Sequence, residues 1–200
     1  MKRIFTITIC LALVIPMFNS CKKGENDPMS LKSRKARLAG EWELAEWSRT
    51  ELSGSSITTY TFSGSTLMVL SGSYTSTVTH SETLEIAKDG TFELNVSQFA
   101  NSASYTYTST GIWYWLKGNK ELEYKNKERV GFEVTASTTL YSSGTYSSTD
   151  ISSHTGDASD IGVYRIDQLK SKEMIIVTEF TDMDGSDLTT VTETKTYEKQ

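Results

Sequence analysis

The sequence predicts an all-β domain, an antiparallel up-and-down β-barrel with a short N-terminal helical lead-in. Three observations carry this. From Gly40 onward apolar and polar residues alternate with the period of a half-buried strand, and no long 3.6-residue period appears. Serine (27) and threonine (28) abound while proline occurs only at positions 16 and 28. That composition suits pleated strands better than a disordered Ser/Thr linker. Turn signals recur at hairpin spacing throughout.

The elements follow in order. Lys2-Arg3, an apolar run over 4–18 and Asn19-Ser20-Cys21 have the layout of a secretory signal peptide, assigned to 1–20. A membrane-spanning helix needs about 20 apolar residues, and Pro16 interrupts a run that is already shorter. Residues 21–33, with Gly24 and Pro28, lack periodicity and read as a tether. Residues 31–38 then make a turn or two of helix, with Arg34-Lys35-x-Arg37 as its solvated first turn. The domain proper is 34–200. Its expected strands are 42–47, 58–62, 66–70, 74–87, 92–96, 105–116, a short one at Leu122 and Tyr124, 130–140, 163–169, 174–180 and 188–197.

Asp89-Gly90 reads as a two-residue hairpin turn of the kind that needs positive φ, and Asp184-Gly185 as another. Strands 74–87 and 104–116 exceed the usual five or six residues, which favours a closed barrel over a sandwich. An outer-membrane barrel is excluded, because the alternate positions are Thr, Ser, Glu and Lys where lipid would demand apolar residues.

Charge and reactive residues narrow the function. There are 20 basic and 25 acidic residues, a net charge of −5; without Lys2 and Arg3 the balance is 18 to 25, or −7. That excludes a nucleic-acid partner, which requires clustered positive charge. Cys10 lies inside the signal, so Cys21 is the one cysteine left after cleavage, and neither a disulfide nor a downstream thiol nucleophile is available. His80 and His154 are the only histidines. Both lie in Ser/Thr-rich stretches where solvation is expected, and neither sits at a triad spacing with a serine. His80 beside Glu82 is the one acid–base pair on offer. The expectation is therefore no enzyme, no metal and no cofactor. Asp182-Met183-Asp184-Gly185-Ser186-Asp187 places oxygens as a calcium loop does, yet no helix with a closing glutamate follows, and a hairpin turn is the better reading.

Ser20-Cys21, followed by Lys22-Lys23-Gly24-Glu25-Asn26-Asp27, resembles a bacterial lipoprotein signal. The resemblance implies cleavage before Cys21, diacylglycerol on its thiol, and a lipid-anchored place in the cell envelope, at the outer membrane. Two or more acyl chains anchor stably, each buried methylene contributing about 0.8 kcal/mol. Leu38-Ala39-Gly40-Glu41-Trp42 resembles the opening of lipocalin and fatty-acid-binding-type barrels, where the glycine and tryptophan close the barrel floor. Gly111-Ile112-Trp113 and Tyr164-x-Ile166-x-x-Leu169 fit strands of the same group, and the full layout resembles the lipocalin-like lipoproteins of Bacteroidetes. Gly40 and Trp42 would form the floor, with Lys195 where that family carries a late arginine.

The aromatics suggest where a ligand would sit. Apolar beats lie near Asp89-Gly90, whereas the far strand ends hold Tyr74, Tyr105 and Tyr107 among hydroxyls. Trp113 and Trp115 share the odd-numbered face with Tyr105 and Tyr107. Such a mouth suits a small amphiphilic or polar-aromatic ligand. The alternative is a non-catalytic surface interaction or assembly module with a side-chain-filled barrel.

Overall fold

The computed structural model describes residues 32–121, 123–154, 160–184 and 187–200; the signal peptide and most of the tether lie outside them. A short helix, α1 (Arg34–Leu38), precedes eleven antiparallel strands. These are β1 (Gly40–Ser53), β2 (Ser56–Ser63), β3 (Thr66–Ser71), β4 (Tyr74–Ile86), β5 (Thr91–Ala100), β6 (Ala103–Trp115), β7 (Arg129–Ser143), β8 (Tyr146–Ser153), β9 (Ile161–Leu169), β10 (Glu173–Asp184) and β11 (Asp187–Lys199). Ten of them close a barrel in chain order, β1 through β7 and then β9, β10 and β11 back to β1, while β8 hangs on β7 outside the ring.

The ring is narrow at one end and wider at the other. At the narrow end Gly40–Glu43 of β1 pairs directly with Ile86–Thr83 of β4. A bulge between Leu44 and Glu46 turns β1 away, and the β2–β3 hairpin fills the widening space. On the opposite side β7 pairs with β9 over Arg129–Glu133 but with β8 over Ala136–Ser143. β9 in turn pairs with β10 only as far as Arg165 and Val177. Beyond that point the ladder of β10 runs with β11 alone among the described residues and only Thr178 Oγ1, donating to Val163 O at 3.1 Å, still reaches β9, so the wall parts there.

The narrow end is dry. Leu38, Trp42, Leu84, Ile86, Phe92, Trp113, Val130, Ile166, Leu169, Met174 and Tyr197 fill it. α1 seals it from below. Ser33 caps the helix, its Oγ accepting from Ala36 N at 3.1 Å. Trp42 Nε1 donates to Leu38 O at 2.8 Å.

Arg34 and Arg37 are not the solvated turn that their charge suggests. Both are buried, Arg34 donating to Lys127 O and Ile166 O and Arg37 to Leu169 O. Their guanidinium groups thus satisfy backbone carbonyls of the floor, one in the 116–128 loop and two in β9. The late cation on Trp42 is Lys199, 4.7 Å from the ring, rather than Lys195. Lys199 Nζ also donates to Ala39 O (2.6 Å) and Arg37 O (3.0 Å), tying the last strand to the helix C-terminus.

Two glycines are required here. Gly40 has φ of +143°, and a Cβ on it would stand 2.2 Å from Lys199 Cε. Gly111 sits where β6 and β7 shift register, and a Cβ there would meet Glu133 O at 1.9 Å.

Three strand expectations need correction. Tyr124 makes only an isolated bridge to Asn119 within the 116–128 loop, and Leu122 lies outside the described residues. β8 was not expected at all. The β4–β5 connection spans Ala87 to Gly90, longer than a two-residue turn, with Asp89 Oδ1 accepting from Thr91 N (3.0 Å) and Thr91 Oγ1 (2.8 Å).

Candidate functional site

Above the floor the barrel interior turns polar. On β4 the inward positions run Ile86, Leu84, Glu82 and His80, all buried. Glu82 faces β11, where Lys195 Nζ reaches both of its carboxylate oxygens at 2.9 Å and Tyr197 OH donates to Oε1. Burial pushes the Glu82 carboxyl up, but the Lys195 charge, with His80, Tyr197 and the Lys195 hydrogen bond, more than offsets it and holds the group down at about 2. Burial opposes the Lys195 charge, yet the Glu82 charge beside it raises its pKa above the ordinary value. Tyr197, desolvated and facing Glu82, is raised well above its own.

His80 is buried, contrary to the solvated histidine expected. Gln98 Nε2 lies 3.2 Å from its Nδ1, so the amide donates and the imidazole proton sits on Nε2. That nitrogen stands 3.8 Å from Glu82 Oε2, beyond the length of a good hydrogen bond. Phe62 packs edge-on to His80, and Trp47 is tilted against it.

One layer higher, Trp47 Nε1 donates to Glu193 at 2.8 Å, and Arg49 pairs with Glu51 and approaches Glu193 at 3.9 Å. Trp47 stacks on Tyr60 with ring centroids 5.9 Å apart, and Lys195 lies 5.2 Å from the Trp47 ring. Charges thus alternate up the inner wall, each with a partner, as buried ions require.

Against this cluster lies an inner cavity of about 220 Å³. Leu84, Phe92, Leu94, Phe132, Val134 and Ile176 give it an apolar body. Tyr107, Ser109, Tyr164 and the Glu82–Lys195 pair give it polar edges, and Ser109 Oγ is buried there with no hydrogen-bond partner. A cleft of about 860 Å³ opens in the wall where β9 and β10 part. Gly162 and Tyr164 line both spaces.

The five ligand residues expected from sequence do not form one site. Tyr107 lines the inner cavity. Tyr105 stands above it, opposite Tyr141 and Gln98. Tyr74 is 67% exposed at the upper rim. Trp113 is floor, its Nε1 donating to Ala87 O at 2.8 Å, and Trp115 packs edge-on against it beneath Arg34. The shared odd face is real, but six residues separate Tyr107 from Trp113, about 20 Å of strand. Glu82, Lys195 and Tyr164 enter the sequence reading in other roles than this cluster, and Glu193 does not enter it. Strand parity held the signal: His80 and Glu82 share the face of Leu84 and Ile86, and Lys195 that of Val191 and Tyr197.

One constellation resembles catalytic chemistry. Ser137 Oγ lies 2.9 Å from His154 Nε2, and His154 Nδ1 lies 2.8 Å from Asp160 Oδ1. Ser137, however, sits mid-strand, paired with Ser109 on one side and Ser152 on the other. Its own backbone is held in ladders on both sides. Neither the inner cavity nor the side cleft is lined by Ser137 or His154. The trio fastens β7 to the start of β9. Among the described residues no cluster of His, Cys, Asp and Glu has the geometry to hold a metal ion; the side chains of 182–187 lie outside them, and β10 and β11 remain paired up to Asp184 and Asp187.

Comparison with protein-family models, with curated proteins and with solved structures found no match for this chain.

Proposed function

We propose that this is a lipocalin-like, lipid-anchored envelope protein that binds a small amphiphilic or polar-aromatic ligand inside its barrel without catalysis. The observation that carries the reading is the inner cavity. It joins an apolar body to a few convergent polar groups, the usual chemistry of a small-ligand site. Ser109 Oγ in particular has no protein partner, and a buried hydroxyl left unpaired is unfavourable unless ligand or water meets it. At about 220 Å³ the space falls below the usual 300–1,000 Å³ of drug-sized sites. The ligand part it takes is therefore about one or two rings, or a short chain.

The anchor rests on sequence: Lys2-Arg3, the apolar run and Ser20-Cys21. Membrane attachment is through lipid on Cys21. Replacing Cys21 by Ser should move the protein from the membrane fraction to the soluble one, and an unmodified Cys21 in mass spectra of the native protein would contradict it.

The ligand reading is tested with N-phenyl-1-naphthylamine, a neutral fluorescent amphiphile. Saturable binding that is abolished by Val134→Phe, which fills the cavity, supports it. Absence of binding, or binding indifferent to that substitution, favours the interaction module with a filled barrel.

A further inference from the structure

The side cleft carries a separate chemistry. Three guanidinium groups line it, Arg49, Arg129 and Arg165, against the carboxylates of Glu179 and Glu193. Glu193 is already engaged by Trp47 and Arg49. Arg129 and Arg165 are direct cross-strand partners on β7 and β9. Like charges placed so are destabilising, and one carboxylate serves the pair: Asp167, 2.9 Å from Arg165.

Arg129 has no carboxylate partner among the described residues. Its guanidinium lies over Tyr124, 4.3 Å from the ring centroid, with Nη2 3.4 Å from Lys117 O. The Nε atoms of Arg129 and Arg49 are both buried with no acceptor. A guanidinium held over a ring with a free in-plane donor is preorganised for bidentate contact with an oxyanion, carboxylate or tetrahedral.

We infer that the cleft between β9 and β10 is an anion-binding site, in which Arg129 and Arg165 hold the carboxylate, sulfate or phosphate head of an amphiphile. The position of Tyr164 adds a consequence that rests on the ligand reading above. Because this residue and Gly162 line both spaces, the apolar part of the same molecule reaches the inner cavity past the Tyr164 ring, sideways through the wall. Glu179 repels the head from the opposite side and confines it to the arginine wall.

The test compares two probes with the same aromatic frame, neutral N-phenyl-1-naphthylamine and its sulfonate, 1-anilinonaphthalene-8-sulfonate. The expected result is tighter binding of the sulfonate by about tenfold, the effect of one charge-assisted contact. In the double variant Arg129→Gln, Arg165→Gln that advantage should vanish while the neutral probe binds as before. Glu179→Gln should enlarge it. Equal binding of the two probes by the unaltered protein, or an advantage that survives the double variant, overturns the anion site. If neither probe binds, the cavity reading fails, and the clamp is then decided by titrating sulfate at constant ionic strength while following the Arg129 Nε–H resonance. A saturable shift that disappears in Arg165→Gln sustains the clamp, and no shift refutes it.

Discussion

Glu82 sets the electrostatics of the barrel interior. Its folded-state pKa is depressed from the ordinary 4.5 to about 2. The unfolded chain therefore binds the extra proton first. The stability this group contributes is present above about pH 4.5 and is lost as the pH falls through 4.5 towards 2. Lys195 works in the opposite sense, its pKa raised above 10.5. Its contribution is complete below 10.5 and is lost as pH rises through the folded value. Urea unfolding at a series of pH values should show a plateau between about pH 5 and 10, with the acid decline tied to Glu82. Replacing Glu82 by Gln should destabilise at neutral pH by roughly 3–5 kcal/mol, because it leaves Lys195 buried without its counter-charge, and should flatten the acid decline. An unchanged acid profile would show that Glu82 is not the titrating group.

Gly40 is the other position where a single atom decides. Gly40→Ala adds a Cβ at a φ of +143° and against Lys199. It should cost about 1–3 kcal/mol of backbone strain and lift Lys199 from Trp42. Thermal melting measures the first effect and Trp42 fluorescence the second; a neutral variant would contradict the floor geometry.

At the scale of elements, legibility in the sequence followed the contrast between faces. β4 and β5 alternate between buried and exposed residues, and both were recognisable. β8 reads Tyr-Ser-Ser-Thr-Asp-Ile-Ser-Ser and is exposed along nearly all its length, so no alternation marks it. The 120–125 segment fails the other way. Glu-Leu-Glu-Tyr-Lys alternates like a strand, but positive φ at Glu123 (58°) and Lys127 (63°) bends the chain into a loop. Burial of Arg34 and Arg37 was invisible because charge alone argues for solvent. The backbone carbonyls of Lys127, Ile166 and Leu169 explain it.

Among the described residues β8 is bonded to β7 alone, while β7 has β6 along its other side. Its amide protons should exchange faster than those of β6 and the lower half of β7. Equal protection would imply that β8 is covered. Ser137, bound to His154 but lining neither the inner cavity nor the side cleft, should resist a fluorophosphonate probe; labelling that depends on His154 would overturn the non-enzymatic reading.

For the molecule as a whole, the barrel is closed and dry at the α1 end, charged and paired through its middle, and parted along β10 above Val177. Trp42 anchors the dry end, and Trp42→Ala should cost about 3–5 kcal/mol in equilibrium unfolding; a near-neutral effect would show that α1 and the floor do not depend on it. Sequence periodicity sufficed to identify a barrel, since nearly every strand has one buried face. The site was less legible because its members come from β4, β5, β6, β7, β9, β10 and β11, and pairing across such distances is set by closure rather than local pattern. The central claim is that the space around Tyr107, Val134 and Ile176 receives a ligand. Intermolecular nuclear Overhauser effects with bound N-phenyl-1-naphthylamine test it most directly. Contacts from the probe to the methyls of Leu94, Val134 and Ile176 are predicted; contacts confined to rim residues such as Tyr74 and Tyr146, with the interior methyls silent, would contradict it.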